Sequence, residues 1–453
     1  MVFFGISTLL GRLILRQYRR VYQFDRWIRE HFTVTGHLFF ILLFGSGVFG
    51  VDTSATTTYQ LFVFLLFIFI FSFLLNLFNR CEFTVVRQLP KYTTVGELLI
   101  YTVILSFYSK KKQQDNLTFI EQLSESFPRY SELAEHYQCA HKPWYRQGIS
   151  FQQWRKYLAY RRGGYIVEKL IPTRIGNQAI EIKVSFTPLR RGKLMFSGCY
   201  IAKPDLLNLV RRLFFQSKKQ ALLVLPKRYD LPPLKLAGKR KYQQGGVSLA
   251  NSVGESTEFI SLRDYRQGDA LNNIHWKSYA RHGKLIVKEY QDEYFVRRAL
   301  LLDTFVGEFE AERFEAAVSV AASIAMSERQ NDALLDLMFV DQQAYRFTSG
   351  RGVDHMPHLQ EILASVQQSR KDEFIQLQQS VMSHAGLCSS FVCVLLHWDE
   401  KRQQLIKQLT VLEIPVAVFF IHGGHHKLEE IDHKPEHFYL IDYRHIAEDL
   451  AQI

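Results

Sequence analysis

The sequence RRALLLDTFVGE (Arg297–Glu308) begins the region whose fold the amino-acid pattern predicts most directly. An apolar run ending in one aspartate is typical of a strand buried on both faces of a sheet. Helices and strands then alternate in the order FEAAVSVAASIAMSERQ (helix), ALLDLMFV (strand), HMPHLQEILASVQ (helix), SFVCVLLHW (strand), DEKRQQLIKQLTVL (helix), IPVAVFFI (strand) and HFYLID (strand). This alternation predicts a doubly wound α/β domain over residues 297–453.

A dense cluster of charged and aromatic residues precedes this domain, in RDYRQGDALNNIHWKSYARHGKL (263–285). Gly268 suits a tight turn in which Asp269 accepts backbone N–H groups. We expect Arg263 and Arg281 to pair with nearby carboxylates and Trp276 to pack beneath them. The candidate carboxylates are Glu258, Asp264, Asp269 and Glu289. Because buried ion pairs fix conformation more than they add stability, residues 257–296 are predicted to be framework or a partner surface.

The alternative for this cluster is an enzyme in which Asp269 and His275 form an acid–base couple. No nucleophile with supporting geometry lies near them, and GVSLA (246–250) is a poor copy of a hydrolase nucleophile elbow. The sequence contains no phosphate-binding loop, no H-E-x-x-H and no G-x-G-x-x-G after a strand. We therefore predict no catalytic residue, no metal and no cofactor. The histidine-rich loop HGGHHKLEEIDHKPEH (422–437) favours a solvated loop over a metal site.

Two apolar segments near the N-terminus predict a transmembrane hairpin over residues 35–79. LFVFLLFIFIFSFLLNLF (61–78) carries no charge and is long enough to cross a bilayer as a helix. HLFFILLFGSGVFGV (37–51) gives the other span, so the spans are about 35–52 and 60–78. Arginines precede the first span and follow the second, whereas the linker has none, so we expect both termini in the cytoplasm and the protein in the plasma (inner) membrane.

Residues 1–34 form a basic amphipathic segment. Its apolar positions at helical spacing are Leu10, Leu13, Ile14, Tyr18, Val21, Phe24 and Ile28. Such a helix either lies on an anionic cytoplasmic leaflet or packs on the protein's own domain, and the pattern leaves both open.

Residues 80–225 predict a β-sandwich with a helical insertion near 121–160. The strand-like segments are EFTVVRQL, GELLIYTVILSFY, AIEIKVSF and KLMFSGCYIA. Residues 226–256 are rich in Pro, Gly, Ser and basic residues and predict a long surface loop.

Charge and cysteine content narrow the class of protein. A net charge of +12 over 453 residues favours an anionic partner, either an acidic protein or lipid. Nucleic-acid binding is not favoured, because the basic residues are spread along the chain and the N-terminal arginines are explained by topology. Five cysteines without C-x-x-C spacing fit a reducing compartment, and we expect Cys388 and Cys393 to pack as small apolar residues.

The signature region resembles the domain of unknown function 58 family. The matching positions are Gly254, Glu258, Phe259, Leu262, Arg263, Tyr265, Gly268, Asp269, Ile274, Trp276, Ala280, Arg281, Leu285, Val287, Lys288 and Glu289. Upstream, TPLRRGKLMFSG and ALLVLP are similar to the sandwich region of the family, with Arg190, Arg191, Gly192 and Pro226 matching.

The resemblance implies a membrane-anchored cytoplasmic protein of the bacterial inner membrane with a von Willebrand factor A-like C-terminal domain. It also implies association with a MoxR-type AAA+ ATPase or a transglutaminase-like membrane protein. This chain departs from the pattern at the metal site of such domains, which needs D-x-S-x-S. Asp303 remains, but Phe305 and Gly307 replace both serines, so we expect a degenerate site without metal. Asn272 and Asn273 stand where relatives commonly carry Arg.

The sequence therefore predicts a non-catalytic assembly or adaptor protein that presents cytoplasmic domains to a protein partner. The predicted interaction residues are Glu258, Arg263, Tyr265, Gly268, Asp269, Trp276, Arg281 and Glu289. Two alternatives remain: a hydrolytic or metal-dependent enzyme using the Asp269/His275 region, and a protein whose main work is binding a membrane surface through its N-terminal helix.

Overall fold

The computed structural model places most of the chain in two compact units. It describes residues 2–50, 56–78, 80–108, 113–114, 116–124, 126–136, 149–172, 174–175, 179–232, 234, 236, 259–267, 269, 271–290, 297–305, 311–329, 334–340, 344–349, 356–369, 374–423 and 434–453. The first unit comprises Met1–Tyr229, Phe305–Ala322 and Met356–Arg370. The second comprises Asp230–Thr304, Ser323–His355 and Lys371–Ile453.

Three helices open the first unit: α1 (Val2–His31), α2 (Val34–Gly50) and α3 (Thr56–Leu77). Among the described residues, one helical segment, Thr57–Leu77, is long and apolar enough to cross a membrane. It has 21 residues, and its most apolar window of 18 residues has a mean hydropathy of 2.5. Helix α2 is also apolar but has 17 residues, at the short end of what a bilayer requires. The described part of the chain thus has one helix of sufficient length for a span, α3, and a shorter apolar helix, α2, before it.

Strands, most of them in antiparallel pairs, and two short helices follow. In chain order they are β1 (Phe83–Gln88), β2 (Tyr92–Thr94), β3 (Leu99–Phe107), β4 (Gln113–Gln114), β5 (Thr118–Leu123), α4 (Tyr130–His136), α5 (Phe151–Arg162), β6 (Gly164–Ile166), β7 (Lys169–Leu170), β8 (Arg174–Ile175), β9 (Ile180–Pro188), β10 (Gly192–Pro204) and β11 (Arg211–Leu225). One sheet has the order β1-β3-β9-β6 and the other β2-β11-β10-β5-β7, while β4 pairs with β8.

The strands of this unit alternate between buried and exposed residues, as antiparallel sheets with one face on a core do. In β1, Phe83, Val85 and Arg87 are buried and the residues between them are exposed. Apolar side chains from both sheets form one core, which includes Val103, Phe186 and Phe196. The predicted sandwich strands are thus present at the expected places.

Helix α5 begins at a capping box, because the Ser150 hydroxyl accepts the Gln153 N–H and the Gln153 side chain accepts the Ser150 N–H. It ends at Gly163, whose φ of 99° suits glycine at a helix C-terminus. Trp154 and Leu158 of this helix form a small core with Tyr22 of α1. The structure thus places helices in the region of the predicted insertion, although β5 extends to Leu123.

The second unit contains the signature region and the strands of the C-terminal α/β region. The remaining elements of the chain are β12 (Phe259–Asp264), α6 (Trp276–His282), β13 (Ile286–Tyr290), β14 (Arg297–Leu302), α7 (Ala311–Arg329), β15 (Leu334–Val340), β16 (Ala344–Ser349), α8 (Met356–Ser365), α9 (Phe374–His384), β17 (Ser390–Leu395), α10 (Glu400–Val411), β18 (Val416–His422), β19 (His437–Asp442) and α11 (Ile446–Ala451). Of these, α8 and the first part of α7 belong to the first unit.

The six-stranded sheet has the order β16-β15-β14-β17-β18-β19. All neighbouring strands are parallel except β15 and β16. Along the chain, β14, β15 and β16 extend to one edge of the sheet, and β17, β18 and β19 then extend to the other edge. The order therefore reverses between β14 and β17, the feature expected of a doubly wound sheet.

Every strand expected in the α/β region is present, and the buried runs of β14, β17 and β18 explain their uninterrupted apolar sequences. Cys388 and Cys393 are buried, as expected for small apolar residues. The pattern did not predict β16, α9 or α11.

Candidate functional site

The signature region is built on a two-stranded antiparallel sheet in which Arg263 of β12 pairs with Val287 of β13. The Arg263 guanidinium donates two hydrogen bonds to Asp269, at 2.7 and 2.8 Å. The Arg266 N–H donates a third bond to this carboxylate, also at 2.7 Å. These bonds from Arg263 and Arg266 lower the pKa of Asp269 from its ordinary 3.8 to about 2. Asp269 is therefore ionised at neutral pH and fixes the turn as an anion.

His275 stands immediately before α6 and interacts with that helix. Its Nδ1 atom lies 2.6 Å from the Ser278 hydroxyl. The Asp269 oxygens are bonded to Arg263 and Arg266 instead. A general base must take up a proton near the working pH, and a carboxylate whose pKa is about 2 is poorly matched to that task. This geometry favours a framework role for Asp269.

The expectation that Trp276 packs beneath the ion pairs is wrong, because its side chain is 59% exposed. Ile274 and Val287 occupy the buried positions of this small sheet instead. Trp276 is the first residue of the seven-residue helix α6 and meets Tyr279 edge to face, with ring centroids 6.2 Å apart. Tyr279 is also exposed. Trp276 and Tyr279 thus form surface rather than core.

We call four exposed residues of this region the signature surface: Leu271, Trp276, Tyr279 and Arg281. Arg281 lies in the last turn of α6, and its ion pair with Asp264, Asp269 or Glu289 does not occur among the described contacts. Tyr265 joins the frame through its backbone N–H, which donates to the Leu285 carbonyl at 3.0 Å. Glu258 and Gly268 lie outside the described residues. For Glu289 the structure describes only the backbone pairing with Ser261.

Asp303, the aspartate of the expected degenerate metal site, follows β14 at the point where the strand order reverses. Its carboxylate is fully buried and is bound by Arg402, with Nε 2.7 Å from Oδ2 and Nη2 3.2 Å from Oδ1. The Leu396 N–H, just after β17, also donates to Oδ2, at 3.2 Å. The Arg402 guanidinium thus supplies the positive charge that this aspartate requires.

Arg402 is a residue that the sequence analysis missed. It belongs to α10, whose N-terminus is capped by Asp399 through a bond to the Arg402 N–H. The same aspartate accepts a hydrogen bond from Arg402 Nη1 at 2.5 Å. A signal was present in the sequence, because Arg402 shares the buried helix face of Leu405, Ile406 and Leu409. A charged residue on an apolar face requires a buried partner.

Small ligands of doubly wound sheets commonly bind at the carboxyl ends of the strands where the order reverses. Here that place holds the Asp303–Arg402 pair, covered by the Phe374 ring, whose centroid is 4.6 Å from Arg402 Cζ. Magnesium prefers several oxygen ligands in near-octahedral geometry. The Asp303 carboxylate is engaged by a guanidinium and an amide, and Asp399 is also bonded to Arg402, so the described arrangement does not resemble a magnesium site.

Other expected metal ligands do not come together in the described part of the chain, which holds no group of three His, Cys, Asp or Glu side chains suited to a metal. Of the histidines in the histidine-rich loop, His422 is the last residue of β18 and His437 is the first residue of β19. His425, His426 and His433 lie outside the described residues.

Arg191 of the upstream motif has a structural role within the first unit. Its guanidinium donates to Glu315 at 2.5 Å and to the Val366 carbonyl at 2.7 Å. It also lies over the Phe314 ring, 5.0 Å from the centroid. Arg191 thus joins the sandwich to the start of α7 and the end of α8.

Comparison with known proteins gives three results. Residues 261–408 match the family model "Protein of unknown function DUF58". The chain is 28% identical over 178 residues to "Uncharacterized protein YeaD" of Bacillus subtilis (strain 168), a match that covers 38% of this chain and 42% of that relative. A cohesin module from Clostridium perfringens ATCC13124 family 33 glycoside hydrolase aligns with 32% of this chain and 99% of its own length, at 10% identity. Its TM-score of 0.15 is too low to support a conclusion about fold or function.

The family match includes both sites described above, the signature surface and the Asp303–Arg402 pair. It confirms the expected resemblance for this part of the chain, whereas the family description assigns no activity. The similarity to the DUF58 family model is therefore established for residues 261–408.

Proposed function

We propose that this chain is a membrane-anchored, non-catalytic adaptor that presents its cytoplasmic domains to a protein partner through the signature surface. The observation that carries the proposal is the exposed Trp276–Tyr279 pair beside a turn fixed by Arg263 and Asp269. Aromatic residues and arginine supply most of the energy in protein interfaces, and a rigid frame lowers the entropy cost of binding. Asp269, which an enzyme would need as half of its acid–base couple with His275, is instead bonded to Arg263 and Arg266 in this turn.

The anchor in this proposal consists of α2 and α3. Helix α3 has the length and hydropathy of a span, and α2 is its shorter partner in the hairpin. Arginines before α2 and after α3 favour placing both termini in the cytoplasm of a bacterium with the hairpin in its inner membrane.

The partner is a protein, and the family resemblance makes a MoxR-type AAA+ ATPase the first candidate and a transglutaminase-like membrane protein the second. We also infer that residues 297–453 form a von Willebrand factor A-like domain. The reversal of strand order beside Asp303 supports this inference. In such a domain Arg402 would take the place of the metal.

The experiment that tests the adaptor proposal is affinity purification of the full chain from native membranes in mild detergent. The test variant carries Trp276→Ala and Tyr279→Ala. The matched control carries Tyr108→Ala and Tyr165→Ala, which are exposed tyrosines outside the signature region. We expect a stoichiometric protein partner with wild type and control and its loss from the test variant, with all three proteins equally stable.

Two results would contradict the proposal. If the test variant keeps its partner, the signature surface is not the interface. If no protein co-purifies stoichiometrically with wild type, the chain is not an adaptor of this kind, and activity assays of wild type and His275→Ala would follow.

A second function, binding of a membrane surface, is favoured by one feature of α1. Tyr18 and Tyr22 pack on the protein's own small core, whereas Leu13, Val21 and Phe24 form an exposed apolar stripe. Helices with such a stripe beside arginines bind anionic lipid. If this is the main function, Val21→Ser with Phe24→Ser will weaken binding to anionic liposomes, while Gln23→Ser on the same helix will not.

A further inference from the structure

The β10–β11 hairpin of the first unit ends in a tip, residues 205–210, that is bonded to α3 and to the start of α2. The Ser72 hydroxyl of α3 donates to Asp205 Oδ2 at 2.5 Å. The Thr33 N–H, just before α2, donates to the Leu209 carbonyl at 3.2 Å. Gly36 of α2 approaches the tip so closely that a Cβ atom there would lie 1.9 Å from the Leu209 oxygen. The tip is therefore fitted against both apolar helices.

Asp205 gives the tip a fixed shape. Its carboxylate is buried and accepts the backbone N–H groups of Leu207, Leu209 and Val210 at 3.2, 2.8 and 3.0 Å. With Ser72 this makes four donors for one carboxylate, so its charge is satisfied without water. The turn is thus held by its own aspartate, as in other turns closed by an Asp side chain.

Two leucines at the tip are exposed, although their positions require no apolar residue. Leu206 is 87% exposed and Leu207 45%. Turns exposed to water are commonly built from Gly, Asn, Asp, Ser and Pro, of which this one uses Asp205 and Asn208, the latter at a φ of 54°. An exposed leucine pair on a rigid turn, adjoining an apolar helix, is suited to an apolar environment.

The position of the tip along α3 identifies that environment. Ser72 lies five residues before the helix end at Leu77, hence about 7.5 Å inside it at the rise of an α-helix. The residues around Ser72 that face outward are Phe71, Phe73 and Leu74, all exposed and apolar. Leu206 follows Asp205 directly in the chain. The tip leucines therefore lie beside the last apolar turns of α3.

We infer that the β10–β11 tip inserts Leu206 and Leu207 into the lipid at the cytoplasmic boundary of the bilayer. The inference rests on the proposed membrane anchoring by α3. It adds a contact between the sandwich itself and the lipid to those made by α2 and α3. Arg212 supports this placement, since it bonds the Leu77 carbonyl at 2.6 Å at the end of the span. Cations near a helix C-terminus and at the lipid headgroups are both favourable. The tip would fix the orientation of the sandwich relative to the membrane.

The test uses the full chain reconstituted in phosphatidylcholine–phosphatidylglycerol nanodiscs, in a Cys139→Ser background. The other four cysteines are buried and resist labelling. A polarity-sensitive fluorophore is attached at Leu206→Cys, and quenching is measured with lipids brominated on the acyl chain. Phe71→Cys, exposed on α3, reports on the span itself.

The matched control is Leu98→Cys, an exposed leucine at the opposite end of the sandwich. Leu98 immediately precedes β3, a nine-residue strand about 30 Å long. The last residue of β3, Phe107, pairs with Phe83 just after α3, so Leu98 lies about 30 Å from the end of α3. We expect blue-shifted emission and strong quenching at Leu206 and Phe71, and neither at Leu98.

The outcomes separate the two proposals. Quenching at Phe71 without quenching at Leu206 would overturn the tip inference and leave the anchor intact. Absence of quenching at both would overturn both. A blue shift at Leu206 without lipid quenching would show that protein, not lipid, covers the tip, and would also overturn the inference.

Discussion

Arg402 and Asp303 form a buried ion pair at the carboxyl end of β14, with side chains 2% and 0% exposed. The Leu396 N–H also donates to Asp303, and Asp399 accepts a further bond from Arg402. Because water does not reach Asp303, its charge depends on Arg402. The pair occupies the place where a ligand of a doubly wound sheet commonly binds.

Removing one partner of this pair should be strongly destabilising. We expect Arg402→Met to lower the free energy of unfolding by about 3–5 kcal/mol, because Asp303 is left as an uncompensated buried charge. The double variant Asp303→Leu, Arg402→Met should recover most of this loss, since apolar replacements of a whole buried pair are often neutral. Urea unfolding of the full chain in detergent measures both. A single variant as stable as wild type would contradict the described pairing.

Magnesium should not stabilise the wild-type protein. The Asp303 oxygens already accept bonds from a guanidinium and an amide, and an ion that binds only the folded state would raise Tm. We expect the same Tm in millimolar Mg²⁺ and in EDTA by differential scanning fluorimetry. A Tm that rises with Mg²⁺ and falls with EDTA would show that a metal site exists elsewhere or that Arg402 is displaced.

The contrast between Asp303 and Arg402 shows what the sequence could predict. The end of β14 follows from a local apolar run, and Phe305 and Gly307 already exclude the usual serine ligands. The cation that binds Asp303 comes from a helix about 100 residues later, and no local pattern encodes that pairing. Only the position of Arg402 on an apolar helix face indicated that it would be buried.

The exposure of Trp276 and the presence of β16 were not predicted from the sequence, for a different reason. Burial of an aromatic residue was inferred from its type, but α6 is short and its first residue lies at the surface. Strand β16 is an antiparallel edge strand with mixed polarity, AYRFTS, so it lacks the apolar run of the parallel strands. Tertiary context, which determines both features, is not contained in short-range periodicity.

Acid should remove the contribution of Asp269 to stability. Its pKa falls from 3.8 to about 2 on folding, so the unfolded state binds the proton more readily. The stabilisation is therefore complete above pH 3.8 and is lost as pH falls toward 2. We expect wild type to exceed Asp269→Asn in Tm at neutral pH, with the difference shrinking in that acidic window. Asp264→Asn, an exposed neighbour, is the matched control and should follow wild type throughout. A Tm difference that does not depend on pH would contradict this assignment.

The sandwich contains a buried network of Arg87, Glu121 and Tyr101, which should rank two substitutions. Arg87 bonds Glu121 at 2.6 and 2.9 Å, and the Tyr101 hydroxyl donates to the same carboxylate at 2.9 Å. Burial raises the pKa of Tyr101, which keeps its hydroxyl protonated as a donor. We expect Tyr101→Phe to cost about 1.5–3 kcal/mol. Glu121→Ala should cost about 3–5 kcal/mol because it leaves the buried Arg87 charge without its carboxylate.

Chemical denaturation of the full chain gives this ranking, and Val86→Ala, an exposed position on β1, serves as the control. Surface substitutions of this kind change stability by about 0.5 kcal/mol or less. If Glu121→Ala proves no more destabilising than Tyr101→Phe, the Arg87 charge has another partner and the described network is wrong.

Two glycines of α2 should respond in opposite ways to the same substitution. A Cβ at Gly36 would lie 1.9 Å from the Leu209 backbone oxygen, whereas a Cβ at Gly45 meets nothing within 4 Å. Gly36→Ala should therefore push the β10–β11 tip away and speed amide exchange at Leu209 and Val210, as measured by hydrogen–deuterium exchange mass spectrometry. Gly45→Ala should leave exchange unchanged and stabilise α2 by up to about 1 kcal/mol, because alanine favours a helix interior. Equal exchange in both variants would mean that the tip is not seated against α2.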